Sequence, residues 1–593
     1  MSESSAHATH RQTAKNAWDS FLRSRFDAET VGADLLDIEF EVLQERLPLA
    51  RKQRNARTSA CKIPAEVLTL IFLYAQAVWK PSRPQPKGSD GVMSPYGAGW
   101  MAVTRVCSAW RKISLSTPSL WCDLDCLDLH PQSAMEIVSR SKASPLSLTI
   151  TGIAPKQNLE HWLCGPVLRR VKRLYISKRT RAEFFSWIEL LFPAMPMLED
   201  LTIDLEANWN EDPTAQRILP SGFLAGCCPP RLKKLKLFGI HCHWDSPLIS
   251  PTLLILFLMS IHEGDPVLPF PKLTDMLGRL DNICSLALVN ILSMRYEDDS
   301  ISVPRPKELN TFNLASFRSS TASDVLAFLQ RHPTWLASNI TIGARFTQPE
   351  DTFVVATIPI LFSPHGLEVH PHELFISHDS ISMLYGESRT RREWITKLSR
   401  LHFVKASRNV GRPFHRHLDV TNVDKSRALV SKLLLFPLAP LRAIYIAPDA
   451  MPALRGEDAW IRDFSSATNV SRVAGHYAII LDLICALGVA QDGKPGTEPT
   501  FALFPRLEVL VFHAAKQANN QTVTVVAAEA NRQPVQIQET SECTRNHVAL
   551  LELLAVREAR GKPVKEILVD KAMAEWSVWD MPAIRGTTNV SFF

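Results

Sequence analysis

RLKKLKLFG (residues 231–239) and TLLILFLMS (residues 252–260) decide the fold, because both carry one short pattern: apolar, two variable, apolar, one variable, apolar. The apolar members are Leu232, Leu235 and Leu237 in the first stretch and Leu253, Leu256 and Leu258 in the second. Upstream the pattern recurs as Val171, Leu174, Ile176 and as Leu198, Leu201, Ile203; downstream it recurs as Ile283, Leu286, Leu288 and as Leu309, Phe312, Leu314. The steps between first members are 27, 34, 21, 30 and 26 residues. Wider-spaced copies follow at Leu398, Leu401, Phe403; at Leu441, Ile444, Ile446; at Leu507, Leu510, Phe512; and at Val564, Ile567, Val569.

Steps close to about 20 to 29 residues are those of leucine-rich repeats. Each copy reads as a short strand whose alternate apolar side chains enter a shared core, while the variable ones face a concave surface. The intervening RAEFFSWIELL (181–191) and HVALLELLAVREAR (547–560) have helical periodicity and should cover the convex side, with Gly561 as the terminator of the second. Residues 126–593 therefore read as an irregular leucine-rich-repeat-like α/β solenoid, with SPLSLTI (144–150) as its first strand. The competing reading is an unrelated α/β domain with several buried strands.

Ahead of the repeats the periodicity is helical. Residues 1–30 are polar and read as a flexible N-terminus, and residues 31–57 as an amphipathic helix carrying Leu35, Ile38, Val42 and Leu43 and then a basic run, ARKQRNAR. IPAEVLTLIFLYAQAVW opens a second helix at Pro64, with Val67, Leu68, Ile71 and Phe72 on one face. The Pro- and Gly-rich residues 80–99 read as an inserted flexible loop, after which Val103, Val106, Cys107 and Trp110 repeat at helical spacing.

In this order, IPAEVLTLIF, VCSAWRKI and TPSLW resemble the F-box domain, in the form found in large families of mushroom-type fungi. The resemblance spans residues 62–125, and the repeats extend it along most of the chain. It implies a short all-helical module that docks on the Skp adaptor and so joins a cullin-based ubiquitin ligase. Carried over by position, Ile63, Pro64, Val67, Leu68 and Ile71 match the first, adaptor-facing helix, and Val106, Cys107, Trp110, Leu120 and Trp121 match the later helical part. The insertion at 80–99 departs from the family pattern. Read without the resemblance, the same residues form a helical hairpin whose apolar side chains pack on one another.

Composition leaves the partner open. Hydrophobic residues make up 46% and charged residues 21%, which excludes a chain disordered throughout. A net charge of +6, from 66 Lys and Arg against 60 Asp and Glu, is too small over 593 residues to demand nucleic acid or an anionic membrane. The expected location is the cytoplasm or nucleus: the N-terminus lacks the apolar core of a signal peptide, no stretch approaches about 20 apolar residues, and the 11 cysteines have no paired spacing.

The search for chemistry yields no enzyme motif. GVAQDGKP (488–495) has P-loop spacing but ends in Pro495, where a magnesium-binding hydroxyl is needed, so it reads as a turn. Cys227, Cys228, His241, Cys242 and His243 have only a passing likeness to a zinc set; the last three read as a solvated strand end, and no metal or other cofactor is expected. His370 with His372, and His415 with His417, read as loop histidines. The basic clusters Arg169 to Arg181 and Arg389 to Arg392 read as solvated faces, since no aromatic nucleic-acid motif accompanies them.

The expected function is substrate recognition in an SCF-type ubiquitin ligase, with catalysis left to the partners. The alternative is a repeat-built interaction scaffold with a degenerate F-box that recruits no ligase. Positions expected to face a target protein are Lys172, Arg173 and Tyr175; Glu199, Asp200 and Thr202; Lys233, Lys234 and Lys236; and Leu254, Ile255 and Phe257. The last three are apolar at supposedly exposed positions. They fit a binding patch, a covering loop, or a strand buried on both sides.

Overall fold

A computed structural model describes residues 2–27, 32–84, 86–87, 92–93, 95–153, 155–206, 217–261, 268–293, 306, 309–316, 322–331, 339–346, 351–362, 370–377, 380–385, 415–422, 430–451, 454–491, 500–514 and 541–593. The chain is mixed α/β, with a helical N-terminal region and a large, mostly parallel sheet. It divides into two units, Met1–Arg173 and Leu174–Phe593.

The first unit begins with helices α1 (Ser2–Phe26) and α2 (Ala33–Ala56). Within the N-terminal residues 1–30, read from sequence as a flexible segment, residues 2–26 form a helix; no Gly or Pro interrupts it, and Ala, Arg, Lys and Gln favour helix. Helix α3 (Ala65–Val78) starts after Pro64, whose fixed φ suits a helix entry and whose carbonyl accepts from Leu68 N at 3.0 Å. Leu68 and Phe72, one turn apart, are the buried face of α3. Helix α4 (Ser108–Ser116) is capped by Cys107 Sγ, which accepts from Trp110 N at 3.5 Å.

Tryptophans fill this small core. Phe72 meets Trp110 edge-on at 5.2 Å, Trp100 lies 5.0 Å from Trp121, and Trp121 Nε1 donates to Ser114 O at 2.8 Å. The segment 80–99, expected as a flexible loop, contains a short antiparallel pair, β1 (Pro86–Lys87) with β2 (Val92–Met93), and a Ser82–Gly97 bridge beneath it. Arg83 fastens the segment by donating to Asp128 at 2.7 Å and Thr151 at 3.2 Å. Strand β3 (Asp123–Asp125) pairs in parallel with β4 (Leu146–Thr151). The first strand thus precedes 144–150 and lies inside the segment read as helical, because Trp121, Leu124 and Cys126, all buried, repeat the apolar pattern without leucine at two of its three positions. The division between units falls within β5 (Val171–Arg179).

In the second unit, β6 (Asp200–Leu205), β7 (Lys234–Phe238) and β8 (Ile255–Met259) pair in parallel. A short parallel pair, β9 (Leu268–Pro269) with β11 (Leu292–Ser293), flanks β10 (Ser285–Val289). Then β10, β12 (Thr311–Ser316) and β13 (Asn339–Phe346) continue the parallel order. The register aligns the apolar pattern: Leu201, Leu235, Leu256, Leu286, Phe312 and Ile340 form one row, and Ile203, Leu237, Leu258, Leu288, Leu314 and Ile342 the next. Every member of both rows is buried. A slip of one residue would turn the whole row outward, so burial fixes register.

A reversal follows. β14 (Pro371–Ile376), β15 (Ser380–Tyr385) and β16 (His415–Asn422) are antiparallel neighbours, with β16 parallel to β13 and β14 parallel to β17 (Ala443–Ile446). From β17 the sheet runs parallel through β18 (Arg472–His476). A two-stranded antiparallel pair, β19 (Ala490–Gln491) with β20 (Thr500–Phe501), stands apart from the main sheet. The main sheet resumes in β21 (Val509–His513), β22 (Glu566–Val569) and β23 (Asn589–Phe592). The expected copy at Leu398, Leu401 and Phe403 lies outside the described residues. The helix Ser541–Ala559 spans the expected 547–560 up to Ala559, and Gly561 two residues beyond has φ +70, the left-handed conformation that stops a helix.

One expectation fails in this half of the unit. Variable positions of the strands were expected to face an open surface, yet Phe375, Ala443, Tyr445, Ala474, Val511 and Leu568 are buried in a second apolar cluster on the face opposite the repeat leucines. The strand sequences AIYI and VLVFH are apolar at successive positions, as strands covered on both faces require.

Candidate functional site

The α3 surface is the first candidate. Of the residues assigned to the adaptor, Leu68, Leu120 and Trp121 are buried in the module's own core, while Ile63, Cys107 and Trp110 are half-buried. Trp110 Nε1 donates to Ala60 O at 3.3 Å, and Cys107 Sγ lies 3.6 Å from Cys61 Sγ. Pro64, Val67, Ile71 and Val106 are exposed. Three further exposed side chains were missed: Leu70 at 57%, Tyr74 at 76% and Val78 at 85%. Val67, Leu70, Ile71, Tyr74 and Val78 follow the three- and four-residue spacing of one helical stripe, opposite Leu68 and Phe72. The signal was present as a helix apolar around most of its circumference. Leu68 and Phe72 suffice to anchor it, so the other apolar side chains are left facing water.

The positions assigned to a target divide in two. In the first unit Arg173 is exposed and its Nε donates to Ser147 Oγ at 2.8 Å, with Lys172 half-buried. In the second unit Tyr175, Lys233 and Lys234 are exposed and Lys236 is half-buried. Lys234 lies 3.7 Å from Asp200, its cross-strand neighbour, an exposed ion pair of small energetic weight. Ile255 and Phe257 are half-buried, and Leu254 is 37% exposed. Phe257 stacks on Phe238 at 4.5 Å, so its apolar character is partly satisfied within the chain.

Parallel register also gathers residues that the sequence keeps far apart. Arg442 N donates to His372 O, Ser471 N to Arg442 O, Glu508 N to Ser471 O and Lys565 N to Glu508 O, which places these residues in one row at the entrances of β14, β17, β18, β21 and β22. They line a cleft of about 730 Å³ together with His370, Arg506 and Lys562. Lys565 pairs with Glu508 at 2.7 Å. His372 is held below the usual imidazole range by burial and by the nearby Arg442. His370 and His372, read as loop histidines, thus sit in a basic cleft whose chemistry suits an anionic group better than a cation.

The other candidates do not assemble. His241 and Cys242 are buried, not solvated, because His241 bridges to Ile218; burial pushes the Cys242 thiol up to about 12. Among the described residues no group of three or more His, Cys, Asp or Glu is placed to hold a metal. Ser382 Oγ hydrogen-bonds His417 Nδ1, but both side chains are buried in the β15–β16 pair, where a substrate has no access. Gly488 ends the helix Leu481–Gly488 and Pro495 lies outside the described residues, as do Arg389 to Arg392. No described helix is long and apolar enough to cross a membrane.

Compared with known protein families and with curated proteins, the chain matches none.

Proposed function

We propose that the chain is a substrate receptor of an SCF-type ubiquitin ligase, acting in the cytoplasm or nucleus. Residues 62–125 serve as an F-box that holds the Skp adaptor, and residues 126–593 serve as a leucine-rich-repeat-like target-binding domain. The observation that carries the reading is the exposed stripe Val67, Leu70, Ile71, Tyr74 and Val78 on α3. An apolar stripe of this kind, rigidly backed by Leu68, Phe72 and the tryptophans, is what helix-in-groove recognition needs. The in-register rows of the second unit support the repeat assignment. A receptor of this kind works by proximity, raising the effective concentration of target lysines near a charged ubiquitin carrier, so it needs rigid spacing and no active site.

The test is co-purification of the full chain with the Skp adaptor and cullin, for the wild type and for the Val67→Asp, Ile71→Asp double variant. Each lost apolar contact is worth roughly 1.5–3 kcal/mol, so the pair should weaken adaptor binding more than 100-fold. The fold should survive, since both side chains already face water. A wild-type chain that captures no adaptor, or a folded double variant that captures it equally well, refutes the reading and favours the scaffold.

A further inference from the structure

Helix α2 has no buried residue. Leu35, Ile38, Val42 and Leu49, spaced three, four and seven apart, are each 43–56% exposed along one stripe. Its charges are segregated. Residues 34–45 carry Asp34, Asp37, Glu39, Glu41 and Glu45 with no basic residue; residues 46–57 carry Arg46, Arg51, Lys52, Arg54 and Arg57 with no acidic one. Within one helix this places like charges one turn apart, as at Asp37, Glu41 and Glu45, an arrangement that disfavours an isolated helix. Compensation by the helix dipole reaches only the first and last turns, and so does not account for Glu41, Glu45 or Arg46 in the middle. Arg25 of α1 pairs with Glu39; among the described residues none of the other nine charges has an ion-pair partner.

We infer that α2 pairs antiparallel with α2 of a second copy of this chain. A two-fold axis between Glu45 and Arg46 sets Asp34 level with Arg57, Asp37 with Arg54, Glu39 with Lys52 and Glu45 with Arg46, and it sets Val42 level with Leu49. Each acidic half then lies along a basic half, and the two apolar stripes overlap where Val42 of one copy meets Leu49 of the other, with Leu35 and Ile38 level with Ala56 and Gln53. The same patch serves both copies, as an isologous interface requires. A parallel pair would set acid against acid over the first half and base against base over the second. This inference does not rest on the adaptor reading, because α2 precedes the α3 stripe.

The test uses the full chain and measures its mass by sedimentation equilibrium over a concentration series. Two variants reverse one half each: Asp34→Lys with Asp37→Lys and Glu45→Lys, and Arg46→Glu with Arg54→Glu and Arg57→Glu. The wild type should approach twice the monomer mass, and each variant alone should stay at monomer mass. An equimolar mixture of the two variants should return to twice the mass, as should a single chain carrying all six substitutions. That six-fold variant has its charges reversed against the helix dipole, so its recovery separates pairing from intrinsic helix stability. A wild type that stays monomeric, a half-reversed variant that still pairs with itself, or a mixture that stays monomeric would each overturn the inference, leaving α1 or an unrelated protein to cover the stripe.

Discussion

Replacing Arg557 with methionine should loosen the second unit at one place. Arg557 lies on the helix Ser541–Ala559 and is fully buried. Its Nε donates to Leu487 O at 3.1 Å, and Nη2 donates to Leu503 O at 3.0 Å and Phe504 O at 3.2 Å. The guanidinium also sits 4.2 Å over the Phe501 ring. Burial draws its pKa down to about 10, so it remains charged at neutral pH. Leu487 is in the last turn of the helix Leu481–Gly488, where carbonyls lack intrahelical partners, and Phe504 has φ +45, a conformation that needs support from its surroundings. Methionine fills most of the volume and supplies no donor. Phe504 O keeps its bond from Leu507 N, but Leu487 O and Leu503 O lose their donor. Orphaning two carbonyls costs about 1–3 kcal/mol each, and relief of a buried charge returns part of it, so the expected net loss is about 2–4 kcal/mol. Arg557→Lys, which offers a single ammonium, should fall between. A unit this large need not unfold in one step, so amide exchange at residues 503–507 should be read beside the thermal midpoint. If Arg557→Met leaves both unchanged, the buried arginine contributes nothing net to stability and the reasoning fails.

Further expectations follow from the same packing. Gly239 has φ +71, and a Cβ there would lie 2.7 Å from Ile261 Cδ1 and 3.1 Å from Leu205 O, so Gly239→Ala should lower the unfolding free energy by about 1–3 kcal/mol in a urea titration. Phe257→Glu forfeits a stack worth about 0.5–1.5 kcal/mol and should destabilise less than Leu256→Ala, for which a core cavity predicts about 2–5 kcal/mol; the opposite order would place Phe257 in the core and remove it from any target surface. His476 is held below the usual imidazole value of 6.5 by burial, against the opposing pull of Asp570 and Asp449. The unfolded chain therefore takes up that proton first, and stability should fall as pH drops below about 6.5. Thermal midpoints across pH 5 to 8 should show this slope, and His476→Gln should flatten it.

The rows of buried leucine were legible because one residue type recurs at fixed offsets, and a parallel sheet converts equal offsets into equal depth. Copies escaped notice where the chemistry was kept and the letters changed. β3 uses Trp121 and Cys126 around Leu124, β13 keeps only Ile340 and Ile342, and β18 has Gly475 where a third apolar side chain is expected. Strand direction left no mark at all: SISMLY in β15 runs against its neighbours, yet its composition resembles that of the parallel strands around it.

The candidate sites were legible to very different degrees, for a reason set by distance along the chain. The α3 stripe is local, so five of its positions can be read from one helix of 14 residues. Whether each faces water or core depends on what covers it, and that is why Leu68 and Ile71, three residues apart, part company. The basic cleft is the opposite case. His372, Arg442, Glu508 and Lys565 are spread over nearly 200 residues and share no motif; His372 reads singly as a loop histidine, and the others as unremarkable polar residues beside a strand. They meet because every parallel strand enters the sheet at the same edge, so the residue before each strand lies about 4.8 Å from the residue before the next. A function carried by such a row is invisible to spacing along the sequence and becomes visible only with the register. It follows that a strand-entrance substitution such as Lys565→Glu acts on its row neighbour: beside Glu508 it replaces an ion pair with like charges, and should open the cleft edge without disturbing the buried Ile567 and Val569 behind it.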